Sequence, residues 1–184
     1  MIKKLKLLNK REEIAYLSVR DFYEGMRGIF ADNKRLDPIT DRQEEFVAIP
    51  INGDVLETML QIRKTFPEHK NFLDVGCGKG NILYLAKYAN FRPKGIEFRE
   101  EYKIFHNNIN VFYGRAEEYE DYYDADVIYL YKPLKNNEKM DALMDMIISK
   151  CKSGAIIFPC GFIITNSKKN LQLITGGQSI YIKK

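Results

Sequence analysis

Apolar positions along this chain fall into helical and strand rhythms that replace each other with little overlap. Ala15, Val19, Phe22, Met26, Ile29 and Phe30 form a helical stripe, weakened by Gly25 and Gly28. Residues 31–50 are polar, with Asp37-Pro38 and Ile49-Pro50 as breakers, and read as a loop. Val55, Met59, Ile62 and Phe66 then recur at helical spacing until Pro67 ends the pattern. From there strands and helices alternate. Strand 72–75 precedes helix 81–89, strand 94–98 precedes helix 99–107, and strand 109–113 precedes a short helix near 116–122. Strand 126–131, helix 137–151 with its stripe of Met140, Leu143, Met144, Ile147 and Cys151, and strand 154–159 complete the series.

Such alternation predicts an α/β domain, a mostly parallel sheet with helices on both faces. The last 25 residues change character. Segments 162–165, 171–174 and 179–182 read as strands, and Gly176-Gly177 is a hairpin signal, so the sheet is expected to end in an antiparallel hairpin. Two parts are expected: a helical extension and loop over 1–51, and the α/β domain over 52–184. The extension's stripe suits packing across the sheet edge or over a site, with a dimer or partner surface as the competing account.

Bulk properties narrow the picture only mildly. The 184 residues are 45% apolar and 29% charged, an ordinary globular balance with room for a real core. A net charge of +4 neither demands nor excludes an acidic partner. Basic clusters at 3–11, 168–169 and 183–184 read as solvated ends, with nucleic-acid or membrane contact as the alternative. Cys77, Cys151 and Cys160 form no C-x-x-C pair or metal spacing, which fits a reducing compartment and predicts no metal. The apolar residues near the start are too few for a signal peptide, no run reaches membrane-spanning length, and a cytoplasmic location is expected.

The most informative segment is Phe72-Leu73-Asp74-Val75-Gly76-Cys77-Gly78-Lys79-Gly80-Asn81. An apolar strand ends in an acid and runs into three glycines at alternate positions, followed at once by a helix. Glycines there permit a sharp turn and let a ligand approach the main chain without meeting a Cβ. The helix start adds N–H groups and a positive dipole end. Dinucleotide, nucleotide and sulfonium-nucleoside sites all use such turns, and three features discriminate. The spacing is G-x-G-x-G, not the dinucleotide G-x-G-x-x-G. Asp74 is a poor neighbour for a pyrophosphate but can hold an amino-bearing group. Glu97 ends the next strand, where a carboxylate can accept from two ribose hydroxyls.

The run FLDVGCGKG followed by GIEF resembles the first two motifs of the class I, seven-strand Rossmann-like S-adenosylmethionine methyltransferases, over roughly residues 52–184. The resemblance implies that Asp74, Gly76, Cys77, Gly78 and Gly80 face the methionine and ribose, that Glu97 takes the ribose, and that Phe98 lies beside the adenine. After strand 109–113 the family commonly has Gly-Asp-Ala, where this chain has Gly114-Arg115-Ala116-Glu117. Backbone atoms of Arg115 and Ala116 or the Glu117 side chain are then the candidates for the adenine contact. It also implies methyl transfer from S-adenosylmethionine, with S-adenosylhomocysteine as product.

At the fourth strand end, Tyr131-Lys132-Pro133 lacks the Asn or Asp that base-amine methyltransferases of the family place before Pro-Pro, which disfavours adenine-N6 and cytosine-N4 chemistry. Tyr131 is the candidate catalytic residue, as a hydrogen-bond partner of the acceptor or a ring face for the methylsulfonium; a surface or core tyrosine is the ordinary alternative. A finer resemblance, through Phe46–Asn52 and the short passage into the final hairpin, is to small protein-lysine methyltransferases of the class. It places a protein side chain ahead of a small molecule and RNA as methyl acceptor. A non-catalytic cofactor-binding subunit or regulator is the rival, and an NAD-dependent oxidoreductase a more distant one. Cys77 reads as a packed small side chain, Lys132 as solvent-facing or set against an acidic substrate, and His69 and His106 as structural or exposed.

Overall fold

The computed structural model describes residues 9–10, 53–106, 108–131, 133–134, 136–164, 170–175 and 179–184. The expected extension over 1–51, apart from Asn9 and Lys10, lies outside them, as do Lys132, Lys168-Lys169 and Gly176-Gly177.

Helix α1 (Gly53–Thr65) carries the first described stripe, and Val55, Leu56, Met59, Ile62 and the following Phe66 are all buried. Arg63 reaches past its C-terminal end and donates to the carbonyls of Pro67 and His69, fixing the exit toward the sheet. The strands are β1 (Asn71–Val75), β2 (Arg92–Glu97), β3 (Asn110–Tyr113), β4 (Val127–Tyr131), β5 (Ile156–Cys160), β6 (Leu171–Thr175) and β7 (Ser179–Lys183). They form a seven-stranded sheet in the order β3-β2-β1-β4-β5-β7-β6. The first five are parallel; β7 runs antiparallel to both β5 and β6. The expected parallel sheet ending in a hairpin is what the chain builds.

Period-two alternation sorts side chains onto two faces. Phe72, Val127, Tyr129, Ile156 and Phe158 lie under α1 and helix α2 (Asn81–Tyr88). Leu73, Val75, Ile128, Leu130 and Ile157 lie under helix α3 (Asn137–Lys150), together with Tyr119 and Tyr122. The α3 start is capped by the Asn136 side chain, which accepts from the Lys139 amide at 2.9 Å. Both faces are closed, so the strand ends are the openings.

Three sequence expectations differ from the observed elements. The helix expected over 99–107 is a 3₁₀ segment (Glu100–Phe105), because only Tyr102 among its residues is buried and no apolar stripe sustains an α-helix. The helix expected near 116–122 is two 3₁₀ turns, Ala116–Glu118 and Asp121–Asp124. The strand expected from 162 does not form over 162–164: Gly161, at φ +77°, turns the chain out of β5 and leaves Ile163 exposed.

Candidate functional site

The cofactor and catalytic candidates named from the sequence, Asp74 to Gly80, Glu97, Phe98, Arg115 to Glu117 and Tyr131, lie at the carboxyl ends of β1, β2, β3 and β4, which is where open α/β sheets bind ligands. Here β1 ends in Asp74-Val75 and enters a turn in which Gly76, Gly78 and Gly80 have φ of +80°, +53° and +81°. L-residues with a Cβ rarely adopt these angles, so the three alternate glycines are required by the backbone path. Gly80 then serves as the left-handed residue preceding α2.

The amides of this turn are used inside the protein. Those of Gly76 and Cys77 both donate to the Ile96 carbonyl, that of Gly80 donates to Cys77, and that of Gly78 donates to Glu97 Oε2 at 2.7 Å. The second Glu97 oxygen accepts the Arg99 amide at 2.8 Å. Glu97 is 7% exposed and is fastened across the gap between β1 and β2. Bonded in this way, the turn offers a ligand bare Cα surface and carboxylate oxygens where a phosphate cradle would offer a ring of free amides.

Asp74 is the second acid of the site. It is 2% exposed, and none of the described residues donates a hydrogen bond to its carboxylate. Burial, reinforced by the negative charge of Glu97, pushes its pKa well above the ordinary carboxylate value. A buried acid without a donor is destabilising unless a ligand supplies one. Tyr129 lies opposite it on β4 and is itself fully buried, with a phenol pKa raised by desolvation and by Cys160 and Asp74 nearby.

Cys77 is buried as expected of a packed side chain, and burial together with the charges of Asp74 and Glu97 holds its thiol neutral. A Cβ on Gly95 of β2 would lie 2.7 Å from its Sγ, so the missing side chain there is what admits it.

His106 is buried against the same turn. Its Nε2 is 2.7 Å from the Gly78 carbonyl and its Nδ1 is 2.6 Å from the Tyr113 hydroxyl. A carbonyl only accepts, so Nε2 carries the proton and Nδ1 accepts from Tyr113. Burial lowers its pKa, which suits this neutral tautomer. A Cβ on Gly80 would meet the ring at 2.9 Å. Neither His106 nor Gly95 stood out as a turn-holding residue in the sequence; a lone histidine and a strand glycine carry no signal until the turn is placed against them.

Phe98 is 39% exposed, and the exposed Arg115 guanidinium lies over its ring, 4.8 Å from the centroid. The Glu118 carboxylate caps the Arg115 amide at 3.0 Å. Ala116 and Glu117 follow in the 3₁₀ turn; the Ala116 carbonyl accepts from Tyr122, and the Glu117 charge acts on that same buried phenol. Tyr131 ends β4 at 37% exposure, and its ring covers Gly161, where a Cβ would stand 3.6 Å away. Pro133 folds back onto Gly76 so closely that a Cβ there would be 3.0 Å away. The end of β4 is thus seated against the glycine turn.

No protein-family model and no curated protein matches this chain. Solved structures do. A putative caffeoyl-CoA O-methyltransferase from Staphylococcus aureus aligns over 93% of this chain and 100% of its own, at 13% identity and TM-score 0.62. An S-adenosylmethionine-bound amino pentose methyltransferase from Micromonospora echinaspora, involved in calicheamicin biosynthesis, aligns over 66% of this chain and 57% of its own, at 16% identity and TM-score 0.51. A mitomycin 7-O-methyltransferase covers 71% and 53%, at 13% identity and TM-score 0.50. The chain therefore spans little more than half the length of the latter two. The likeness is one of fold: the seven-stranded sheet with its antiparallel seventh strand is the class I Rossmann-like methyltransferase fold.

Proposed function

We propose that this protein binds S-adenosylmethionine at the glycine turn and transfers its methyl group to an acceptor beside Tyr131. The observation that carries this is Asp74, a buried carboxylate with no hydrogen-bond donor among the described residues, at the mouth of a turn whose glycines have no side chains. The donor set fits the cofactor. Asp74 suits a cationic amino group, the bare surface of Gly76 and Gly78 suits a close-lying ribose and thioether, and Glu97 places a carboxylate against the turn, a group suited to ribose hydroxyls. Phe98 and Arg115 offer planar groups for a purine.

The bound cofactor supplies an electrophilic methyl on a sulfonium. The protein's share is positioning, which in favourable cases is worth about 7–11 kcal/mol. Asp74 and Glu97 hold the two ends, and the turn between them is fixed by His106 and Ile96. Tyr131 is the last residue of β4, on the edge an acceptor would approach, with its ring backed by Gly161. A hydrogen bond from the acceptor to its phenol would aim the nucleophile. The sequence favoured a protein side chain as acceptor; the two similar enzymes named for an amino sugar and a mitomycin direct equal attention to small molecules.

Titration calorimetry of the full chain with S-adenosylhomocysteine and with NAD tests the binding. Heat with the first and none with the second is expected; the reverse would overturn the proposal. Incubation with radiolabelled S-adenosylmethionine and a host extract, separated into protein, RNA and small molecules, then identifies the acceptor class. Binding with no labelled product in any fraction would favour the non-catalytic module.

A further inference from the structure

Gly78 is held by side chains at both of its backbone groups. Its amide donates to Glu97 Oε2 and its carbonyl accepts from His106 Nε2, each at 2.7 Å, and both side chains are buried. That carbonyl shares a peptide plane with Lys79. The plane is trans, so the Lys79 N–H points the opposite way, away from the His106 ring. The amides of Gly76, Cys77, Gly78 and Gly80 all have acceptors, while that of Lys79 finds none among the described residues. Gly78, at φ +53°, has no Cβ to restrict the torsion on its side of the plane. The tilt of the plane, and with it the aim of the Lys79 amide, rests on what the carbonyl meets.

What it meets is a braced ring. Tyr113, the last residue of β3, donates from its hydroxyl to His106 Nδ1 at 2.6 Å. Cys77 Sγ lies 4.0 Å from Nε2, and the ring occupies the space that a Cβ on Gly80 would need, 2.9 Å from Cδ2. Held on these sides, the imidazole presents its one N–H in one direction. We propose, resting on the cofactor reading above, that His106 is a positioning residue of the cofactor site: it fixes the peptide plane between Gly78 and Lys79 and so aims the Lys79 amide at the bound cofactor, with Tyr113 holding its ring in place. His106 touches no ligand itself and acts through the turn. A donor already aimed before binding leaves less to be ordered when the ligand arrives, which raises affinity.

The test joins calorimetry with S-adenosylhomocysteine to NMR of the full chain, for the unaltered protein, His106→Phe, His106→Gln and Tyr113→Phe. Thermal melts verify that each variant folds. His106→Phe keeps a ring and removes the donor, and His106→Gln returns an N–H at the reach of Nε2. Without ligand, the Gly78 carbonyl carbon should move upfield in His106→Phe and return most of the way in His106→Gln. Adding S-adenosylhomocysteine should shift the Lys79 amide proton downfield in the unaltered protein, as an acceptor reaches it. Affinity should fall about tenfold in His106→Phe and about threefold in Tyr113→Phe, and recover in His106→Gln, the scale of one hydrogen bond. A histidine that only stabilised the fold would lower the melting temperature without moving these two resonances.

If His106→Phe does not fold, Tyr113→Phe makes the same comparison by removing one hydroxyl from a half-buried ring. A Lys79 amide that stays put when S-adenosylhomocysteine binds would overturn the inference, and so would unchanged affinity in the folded variants. Either result leaves the cofactor proposal standing, because the unaltered protein has bound the probe. If the unaltered protein does not bind it, the cofactor proposal falls and this one with it.

Discussion

Glu97 accepts the Gly78 amide at 2.7 Å with one oxygen while its other oxygen accepts the Arg99 amide at 2.8 Å. The acid proposed to hold a ribose is therefore also a structural strut of the glycine turn. Glu97→Ala orphans two buried amides, and hydrogen bonds to a charged group are worth about 1.5–3 kcal/mol each when formed. Relief of the repulsion on Asp74 offsets part of that loss. A net destabilisation of about 1–3 kcal/mol in urea denaturation is expected, alongside loss of S-adenosylhomocysteine binding. A variant as stable as the original protein would show that the strut is unimportant.

Asp74 makes the ligand-free protein sensitive to pH in a defined sense. Its folded pKa is raised above the unfolded value by burial and by Glu97, so the native state binds more protons than the unfolded one between the two pKa values. Stability from this group is present below the unfolded pKa and declines as pH rises through that window to the folded pKa. Asp74→Asn keeps the shape, removes the charge and should raise the melting temperature at neutral pH while flattening its decline with pH. The same change should abolish tight binding of S-adenosylhomocysteine, whose amino group loses its anion. A lower melting temperature for Asp74→Asn at pH 7 would contradict the assignment.

Much of the site was legible in the sequence because its chemistry is local. Asp74, the alternate glycines and Glu97 all lie within a strand, a turn and the next strand, and each residue type has a backbone or charge reason to be there. The sheet was legible for a similar reason, since Phe72, Val127 and Ile156 alternate with Leu73, Ile128 and Ile157. What escaped were relations between distant segments. His106 under Gly78 and Cys77 against Gly95 depend on where two turns meet. The 3₁₀ segments escaped because polar stretches such as Glu100–Phe105 turn on a few caps, with too little apolar burial to give a period.

Gly95 tests the packing of the turn on β2 directly. A Cβ there would stand 2.7 Å from Cys77 Sγ, 3.2 Å from Cys77 Cβ and 2.8 Å from Leu83 Cδ1. Gly95→Ala should destabilise by about 1–3 kcal/mol through overpacking. Adding Cys77→Ala removes the sulfur but leaves Leu83, so the double variant should recover part of the loss. A double-mutant cycle in denaturation gives the coupling, and strict additivity would mean the two sites do not touch.

His106 should appear in NMR as the neutral Nε2–H tautomer at pH 7, because its Nε2 faces the Gly78 carbonyl. Its pKa is lowered by burial, so the unfolded chain binds more protons just below the ordinary histidine value. The stability it contributes is thus full above that value and is lost as pH falls from it toward the folded pKa, opposite in sign to Asp74. His106→Ala leaves the Gly78 carbonyl and the Tyr113 hydroxyl without their partner and opens space under Gly80, for an expected loss of about 1–3 kcal/mol. An Nδ1–H tautomer would reverse the donor assignment.

Tyr131 separates the enzyme from a binding module. It ends β4 half-exposed, apart from the two acids proposed to hold the cofactor, and has its ring against Gly161, so its removal should leave the proposed cofactor site intact. Tyr131→Ala should therefore bind S-adenosylhomocysteine with little change yet lower kcat by about a hundredfold, the usual consequence of a displaced acceptor. Tyr131→Phe divides the two roles of the side chain. Activity close to that of the original protein assigns the work to the ring face, and a drop near that of the alanine variant assigns it to the hydroxyl. Full activity in Tyr131→Ala would move the acceptor away from the end of β4 altogether.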